Sequence, residues 1–184
     1  MENKNILVFL AEGFEETEAI ATIDVLRRGG LNVRTVSVTE SKTVTGAHRI
    51  PVIADEVISH SDLDNAYALI LPGGMPGTLN LQACAQLTEK VASFAKAGKL
   101  IAAICAAPMI FGHLGLLEGK EAVCYPGFEE HLKGATVPVD RKTVVAGNIV
   151  TSVGVISVLE FGLTLVELIA GKQTRADVEN QLKY

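Results

Sequence analysis

The sequence predicts an α/β fold: a doubly wound, mostly parallel sheet covered by helices on both faces, a three-layer sandwich. Short apolar runs recur along the 184 residues, and segments with helical periodicity separate them. Strands that are apolar throughout are buried on both faces. Alternation with helices joins such strands in parallel through right-handed crossovers. We expect one domain, residues 1–184, with a substantial core.

The first half of the chain shows the clearer alternation. The helix that begins at Glu15 carries an apolar stripe and ends in Arg27-Arg28 before Gly29-Gly30, which is a typical C-terminal stop. Gly46-Ala47 lies between two short extended pieces, which predicts a hairpin. The predicted elements are a strand at 5–10, a helix at 15–28, a strand at 31–38, a hairpin within 43–53, an acidic connection at 55–64 with room for a short helix, a strand at 66–71 and a helix at 87–97.

The second half repeats the pattern less clearly. The predicted elements are a strand at 100–104, a helix at 108–114, a strand at 122–125, a helical turn at 128–133, two strands within 143–152, a helix at 155–169 and a helix at 175–182. Residues 149–166 carry one charge, Glu160, over a length that could cross a membrane. Small polar residues interrupt this segment, so we interpret it as a buried strand followed by a core helix.

Composition limits the possible partners and the compartment. The net charge is −5, the sequence pI is about 5.4, and no Lys/Arg run is longer than Arg27-Arg28, which argues against nucleic acid or an anionic membrane as primary partner. Only 20% of the residues are charged and mean hydropathy is +0.33, so we expect a homodimer that covers part of the surface. Three cysteines without metal-ligand spacing, and no signal peptide at Met1, indicate a reducing, cytoplasmic location.

Residues 99–108 predict a nucleophile elbow. The apolar strand at 100–104 ends at Cys105, and Pro108 suits the first turn of a helix. Proline pushes Ala107 away from helical geometry, so the turn must be made around Cys105. Free N–H groups at the helix start would lower the pKa of the thiol. The alternative is that Cys105 is a small buried apolar residue.

Two other strand ends carry residues that could serve this thiol. Gly73 and Gly74 follow the strand at 66–71, and their amides together with that of Ala106 could form an oxyanion hole. Glu18 lies beside the apolar stripe of the first helix, so its carboxyl can face the same sheet edge with a raised pKa. An ordinary turn is the alternative for the two glycines, and Glu12, Glu15 and Glu16 are explained as acids at a helix start.

Three motifs resemble the ThiJ/PfpI superfamily, closest to its DJ-one and YajL-like branch. They are Glu15-Glu16-Thr17-Glu18, Leu71-Pro72-Gly73-Gly74 and Ala102-Ala103-Ile104-Cys105-Ala106-Ala107-Pro108. The resemblance extends from Asn5 to about Ala170. It implies a flavodoxin-like domain, a homodimer, no cofactor, and a reactive Cys105 contacted by a protonated Glu18 in a pocket bounded by the amides of Gly73, Gly74 and Ala106.

The chain departs from the family pattern at two places. Many relatives carry a histidine where this chain has Tyr125 before Pro126, so a protease-type Cys–His dyad is missing. Val153, Val155 and Ile156 stand where the family usually shows a polar residue, Pro and Gly, so the pocket wall or a dimer contact is altered. His48 lies where relatives often carry a basic or polar residue that reaches toward the pocket; a solvated hairpin residue is the alternative.

The sequence therefore predicts a cysteine-dependent, cofactor-independent enzyme that acts on small reactive carbonyls, of the glyoxalase or deglycase type, in oxidative and carbonyl stress defence. The thiolate of Cys105 would add to the aldehyde, and Glu18 would shuttle the proton. No metal is predicted. The alternative is a redox sensor or a chaperone-like stress protein that uses oxidation of Cys105 without turnover.

Overall fold

The structure, a computed structural model, describes residues 4–184. Within them the strands are β1 (Asn5–Leu10), β2 (Asn32–Ser37), β3 (Thr43–Thr45), β4 (Pro51–Ile53), β5 (Glu56–Val57), β6 (Ala68–Leu71), β7 (Leu100–Ile104), β8 (Thr143–Ala146) and β9 (Ile149–Ser152). The α-helices are α1 (Glu16–Arg28), α2 (Gly77–Ala83), α3 (Ala85–Lys96), α4 (Pro108–His113), α5 (Val158–Ala170) and α6 (Lys172–Leu182). The expectation about the chain start at Met1 concerns residues outside the described part.

Seven strands form one mixed sheet in the order β5-β2-β1-β6-β7-β9-β8. Every pair in it is parallel except β8 with β9, which is antiparallel at the edge. β3 and β4 form a separate antiparallel hairpin. This arrangement confirms the predicted flavodoxin-like, doubly wound fold.

Both faces of the sheet are buried, because side chains alternate along each central strand. In β1, Leu7 and Phe9 pack with residues of α2, α3 and α4, whereas Ile6 and Val8 pack with residues of α1, α5 and α6. The two apolar clusters are the two interfaces of the predicted sandwich. They hold the strand ends, and with them the candidate site, in fixed positions.

Several local predictions need correction. Residues 122–125 form no strand, because the Val123 amide donates to the Thr151 hydroxyl and the Tyr125 amide to Cys105 instead of to a sheet neighbour. The glycine loop after β6 runs directly into α2, which sequence analysis missed. The acidic connection contains β5, which adds an edge to β2. The helix predicted at 155–169 begins as one 3-10 turn at Val155–Ser157.

Residues 149–166 divide into β9, this turn and the first part of α5, as predicted. None of the helices in residues 4–184 combines the length and the apolar content needed to cross a membrane.

Candidate active site

The candidate site lies at the carboxyl edge of the sheet, where ligands bind in open α/β folds. Parallel pairing aligns Leu71 of β6 with Ala103 of β7, and Ile104 of β7 with Ser152 of β9. The loops that follow these three strands therefore meet at the next residue, Cys105. The start of α1 closes the group from the β1 side.

Cys105 forms the predicted elbow. Its φ is +65°, in the left-handed region that non-glycine residues rarely occupy. Hydrogen bonds fix its backbone on both sides: the Cys105 amide donates to Ser152 O at 2.9 Å, and its carbonyl accepts from the Tyr125 amide at 2.8 Å. Ala107 is helical (φ −61°, ψ −27°), contrary to expectation, because its amide closes the turn onto Ile104 O at 3.1 Å.

Other residues approach the backbone of Gly73 and Gly74 so closely that no side chain fits at either position. The loop is therefore not an ordinary turn. A Cβ on Gly73 would lie 2.5 Å from the Cβ of Cys105 and 2.7 Å from Oε2 of Glu18. Gly74 has φ +92°, and a Cβ there would lie 2.3 Å from the amide nitrogen of Glu15. The missing side chains bring the amide of Gly73 to Glu18 and the amide of Gly74 to the sulfur of Cys105.

Glu18 points from α1 into this edge and is only 1% exposed. Its Oε2 accepts a hydrogen bond from the Gly73 amide at 3.0 Å. Its Oε1 is buried without a hydrogen bond of standard geometry from any described residue, although the Cys105 thiol and the Val155 amide lie close by. Burial raises the pKa of the Glu18 carboxyl to about 7 against the opposing effects of these neighbours. The carboxyl is therefore suited to hold a proton near neutral pH.

Two effects oppose each other at the Cys105 thiol. Burial first, and then an ionised Glu18 beside it, raise the pKa of the Cys105 thiol to about 12, against the lowering effect of the amides of Gly74 and Ala106. The sequence analysis expected a lowered pKa, which is wrong for the state in which Glu18 is ionised. Two adjacent negative charges in a buried site are unfavourable, so the thiol and the carboxyl share one proton. A protonated Glu18 would use its Oε1, which has no hydrogen-bond partner of standard geometry, as a donor to the sulfur.

His48 is held by Glu16: its amide and its ring both bind the Glu16 carboxylate, and not Cys105 or Glu18. Its Nδ1 lies 2.7 Å from Oε2 of Glu16, and its amide donates to Oε1 at 2.7 Å. Glu16 is 7% exposed, whereas the His48 side chain is 70% exposed. The ion pair raises the pKa of His48, and the hydrogen bonds from His48 keep that of Glu16 low despite burial.

Sequence analysis missed this role of Glu16, which anchors the β3–β4 hairpin loop to the start of α1. A Cβ on Gly46 would lie 2.3 Å from the Glu16 carboxyl, so glycine permits the contact. Glu15, Glu16 and His48 also place one potential metal-ligating atom each within 4.8 Å of one another. Glu15 already caps α1 by accepting from the Glu18 amide at 2.6 Å, and Glu16 is occupied by His48. We assign no metal to this group.

Tyr125 and Gly154 complete the surroundings of the sulfur. The Tyr125 side chain is 51% exposed, and its ring packs edge-on against Phe128 with centroids 6.2 Å apart. A Cβ on Gly154 would lie 3.5 Å from Tyr125 Cδ2 and 3.9 Å from the Cβ of Cys105. The ring therefore stands at the mouth of the site, where many relatives would carry a histidine.

The other two cysteines lie elsewhere. Cys84 is half-buried at the junction of α2 and α3. Cys124 is buried, and burial raises the pKa of its thiol to about 12. All three cysteines are free thiols. Cys105 differs from the buried Cys124 in that it combines partial exposure with hydrogen bonds from two amides, those of Gly74 and Ala106.

Comparison with known proteins decides the family. The DJ-1/PfpI family pattern matches residues 4–168, nearly the whole chain. The chain belongs to the DJ-1/PfpI family. The resemblance in the three sequence motifs is thereby confirmed, although the match assigns no role to any one residue.

Individual members of the DJ-1/PfpI family resemble the chain closely enough to support this family assignment. The chain is 42% identical over 181 residues to Protein DJ-1 homolog B of Arabidopsis thaliana, covering 97% of this chain but 41% of that longer protein. It is 34% identical over 173 residues to the glutathione-independent glyoxalase DJR-1.2 of Caenorhabditis elegans, covering 92% and 91%. The structure of oxidized Toxoplasma gondii DJ-1 superposes with a TM-score of 0.91 at 36% identity, covering 98% of each chain.

Proposed function

We propose that the protein is a cofactor-independent enzyme that converts small reactive carbonyls with Cys105 as nucleophile. The observation that carries the proposal is the elbow itself. A partly exposed thiol receives amide hydrogen bonds from Gly74 and Ala106 and lies against the buried carboxyl of Glu18. Nucleophile, oxyanion donors and proton carrier are thus gathered within one cluster.

The reaction proposed for a 2-oxoaldehyde needs no co-reactant other than water. The Cys105 sulfur forms a bond to the aldehyde carbon, the carbonyl electrons move to oxygen, and Glu18 protonates that oxygen to give a hemithioacetal. Glu18 then takes the proton from the same carbon and returns it to the neighbouring carbon, while the hydroxyl proton on the first oxygen moves to the neighbouring oxygen, which leaves a thioester of a 2-hydroxy acid. Water hydrolyses the thioester, and the proton released with the sulfur returns to Glu18.

Each residue has a role in the proposed sequence that follows from its contacts. The amides of Gly74 and Ala106 can stabilise the oxygen on which charge develops, because they already point at the sulfur. The raised pKa of Glu18, about 7, suits a group that must both give and take a proton. The glyoxalase named among the relatives supports this reaction class for the chain.

The second candidate is a redox sensor or chaperone-like protein in which Cys105 is oxidised and turnover plays no part. The amides at the sulfur would also stabilise a sulfinate anion, so the same geometry favours it. Consumption of methylglyoxal and formation of lactate separate the two candidates. Native protein should turn over methylglyoxal, Cys105→Ser should not, and Cys84→Ser, the other half-buried cysteine, should keep native activity. Equal consumption by native protein and Cys105→Ser would exclude the enzymatic proposal.

We also propose a homodimer, because apolar side chains are exposed on α1 and on the nearby hairpin. Ile20 is 45% exposed, and Ile50 and Ile53 are 55% and 76% exposed. Burial of such side chains against a second copy would stabilise the assembly. Light scattering at micromolar concentration should give twice the chain mass of 19.5 kDa. A single monomer peak would contradict the proposal.

A further inference from the structure

The loops around Cys105 contain almost no charge. Residues 65–88, 100–117, 122–128 and 143–159 include no Asp, Glu, Lys or Arg, in a chain that is 20% charged. The reacting pair, Cys105 and Glu18, shares one proton and so carries one negative charge, and the Glu15 carboxyl acts on Glu18. An anionic substrate would therefore meet like charge there and no countercharge among these segments.

Four exposed apolar side chains stand next to residues that contact the reacting pair. Met75 (43% exposed) follows Gly74, and Tyr125 (51% exposed) binds the Cys105 carbonyl through its own amide. Val155 (45% exposed) has its amide close to the Glu18 carboxyl, and Ile156 (77% exposed) comes next. We call Met75, Tyr125, Val155 and Ile156 the apolar rim. Three separate loops contribute to it.

We infer that the site selects neutral 2-oxoaldehydes with an alkyl or aryl substituent and rejects anionic ones. This inference rests on the proposed function and specifies its substrate class. A substituent beside the dicarbonyl would lie against the apolar rim once the aldehyde carbon is bonded to Cys105. Burying its methylene groups is favourable, whereas a carboxylate in that place would be desolvated beside Glu18.

The first test compares kcat/KM for 2-oxopentanal, methylglyoxal and 4,5-dioxopentanoate, which share the 2-oxoaldehyde group but differ in the substituent on the keto carbon. We expect 2-oxopentanal to exceed methylglyoxal about tenfold for its two additional methylene groups, with the anionic 4,5-dioxopentanoate below both. The double variant Val155→Thr/Ile156→Thr should reduce the ratio of 2-oxopentanal to methylglyoxal to about threefold. Val145→Thr is the matched control, because Val145 is 44% exposed but lies on the edge strand β8. Met75→Gln replaces the double variant if thermal unfolding shows that it is not folded.

The second test needs no turnover and separates failure of the inference from failure of the proposed function. Alkylation rates at Cys105 are measured with iodoacetate, iodoacetamide and N-propyl iodoacetamide, each divided by its rate with a small free thiol. We expect the normalised alkylation rate to be highest for N-propyl iodoacetamide, intermediate for iodoacetamide and lowest for iodoacetate. The rim variants should lower the normalised rate for N-propyl iodoacetamide. If alkylation shows this order but no dicarbonyl is turned over, the proposed function fails and the selectivity stands. Equal ratios for all three reagents, or ratios unchanged by the rim variants, would overturn the inference.

Discussion

Replacement of Glu18 tests where the shared proton resides. If the carboxyl keeps the proton, Glu18→Leu removes one hydrogen bond to a charged sulfur. Such a bond contributes about 1.5–3 kcal/mol, which corresponds to a rise of about 1–2 pH units in the midpoint of thiolate formation. Glu18→Gln keeps an N–H donor in nearly the same place. We expect its midpoint to rise by less than about 1 pH unit, because a neutral amide donor is weaker than an acid.

The assay is the rate of iodoacetamide reaction at Cys105 against pH, in a background with Cys84→Ser and Cys124→Ala. Glu12→Leu is the control, since Glu12 also follows β1 but binds the Thr45 amide rather than the sulfur. Its midpoint should equal that of the background protein.

The alternative protonation state predicts a shift of the thiolate midpoint in the opposite direction. If the carboxylate carries the charge and the thiol the proton, removal of that charge favours the thiolate. Two unit charges about 4 Å apart repel by about 4 kcal/mol at an effective dielectric constant of 20, so both Glu18 variants would lower the midpoint by up to about 3 pH units. A downward shift in both would refute the assignment of the proton to Glu18, and with it the first step of the proposed reaction.

Three further outcomes follow from the geometry. Gly73→Ala should destabilise the fold by about 1–3 kcal/mol in urea unfolding, because its Cβ would overlap Cys105; native stability would show that the loop adapts. Glu16→Gln should lower the pKa of His48 toward its ordinary value of 6.5, as measured by NMR titration, because the ion pair is lost. In the native protein, the contribution of His48 to stability is full below pH 6.5 and is lost as the pH rises through its raised folded pKa. Mild peroxide should oxidise Cys105 before the other two cysteines and stop at sulfinic acid, as peptide mass spectrometry can determine. Earlier modification elsewhere would contradict the role of the amides at the elbow.

Much of the fold can be predicted because its signals are local. Each central strand is an apolar run, and the small residues and proline after Cys105 mark a turn that few other sequences could make. The register of β6, β7 and β9 then brings their loops together without further information. Glu18 was identified among four nearby glutamates because its spacing places it beside the apolar stripe of α1.

The contacts that sequence analysis missed depend on distant partners. Glu16 resembles an ordinary acid at a helix start until the hairpin brings His48, 32 residues later, onto its carboxyl. Residues 122–125 have an apolar strand composition, yet their amides are used by the site instead of by a sheet. The proton balance between Glu18 and Cys105 likewise depends on burial, which a linear pattern does not show.

The hydrogen bonds that hold the elbow have a consequence for biosynthesis. The Cys105 amide and carbonyl are bound by Ser152 and Tyr125, both of which leave the ribosome after Cys105 does. Until β9 has docked beside β7, nothing in the chain compensates for the left-handed backbone at Cys105, and the sulfur has no fixed relation to the amides around it. A nascent or truncated chain that contains Glu18, both glycines and the cysteine therefore lacks the assembled thiol. The set of amides and the carboxyl around the sulfur is therefore complete only once the sheet is, whereas the thiol of an unfinished chain has the ordinary reactivity of an exposed cysteine.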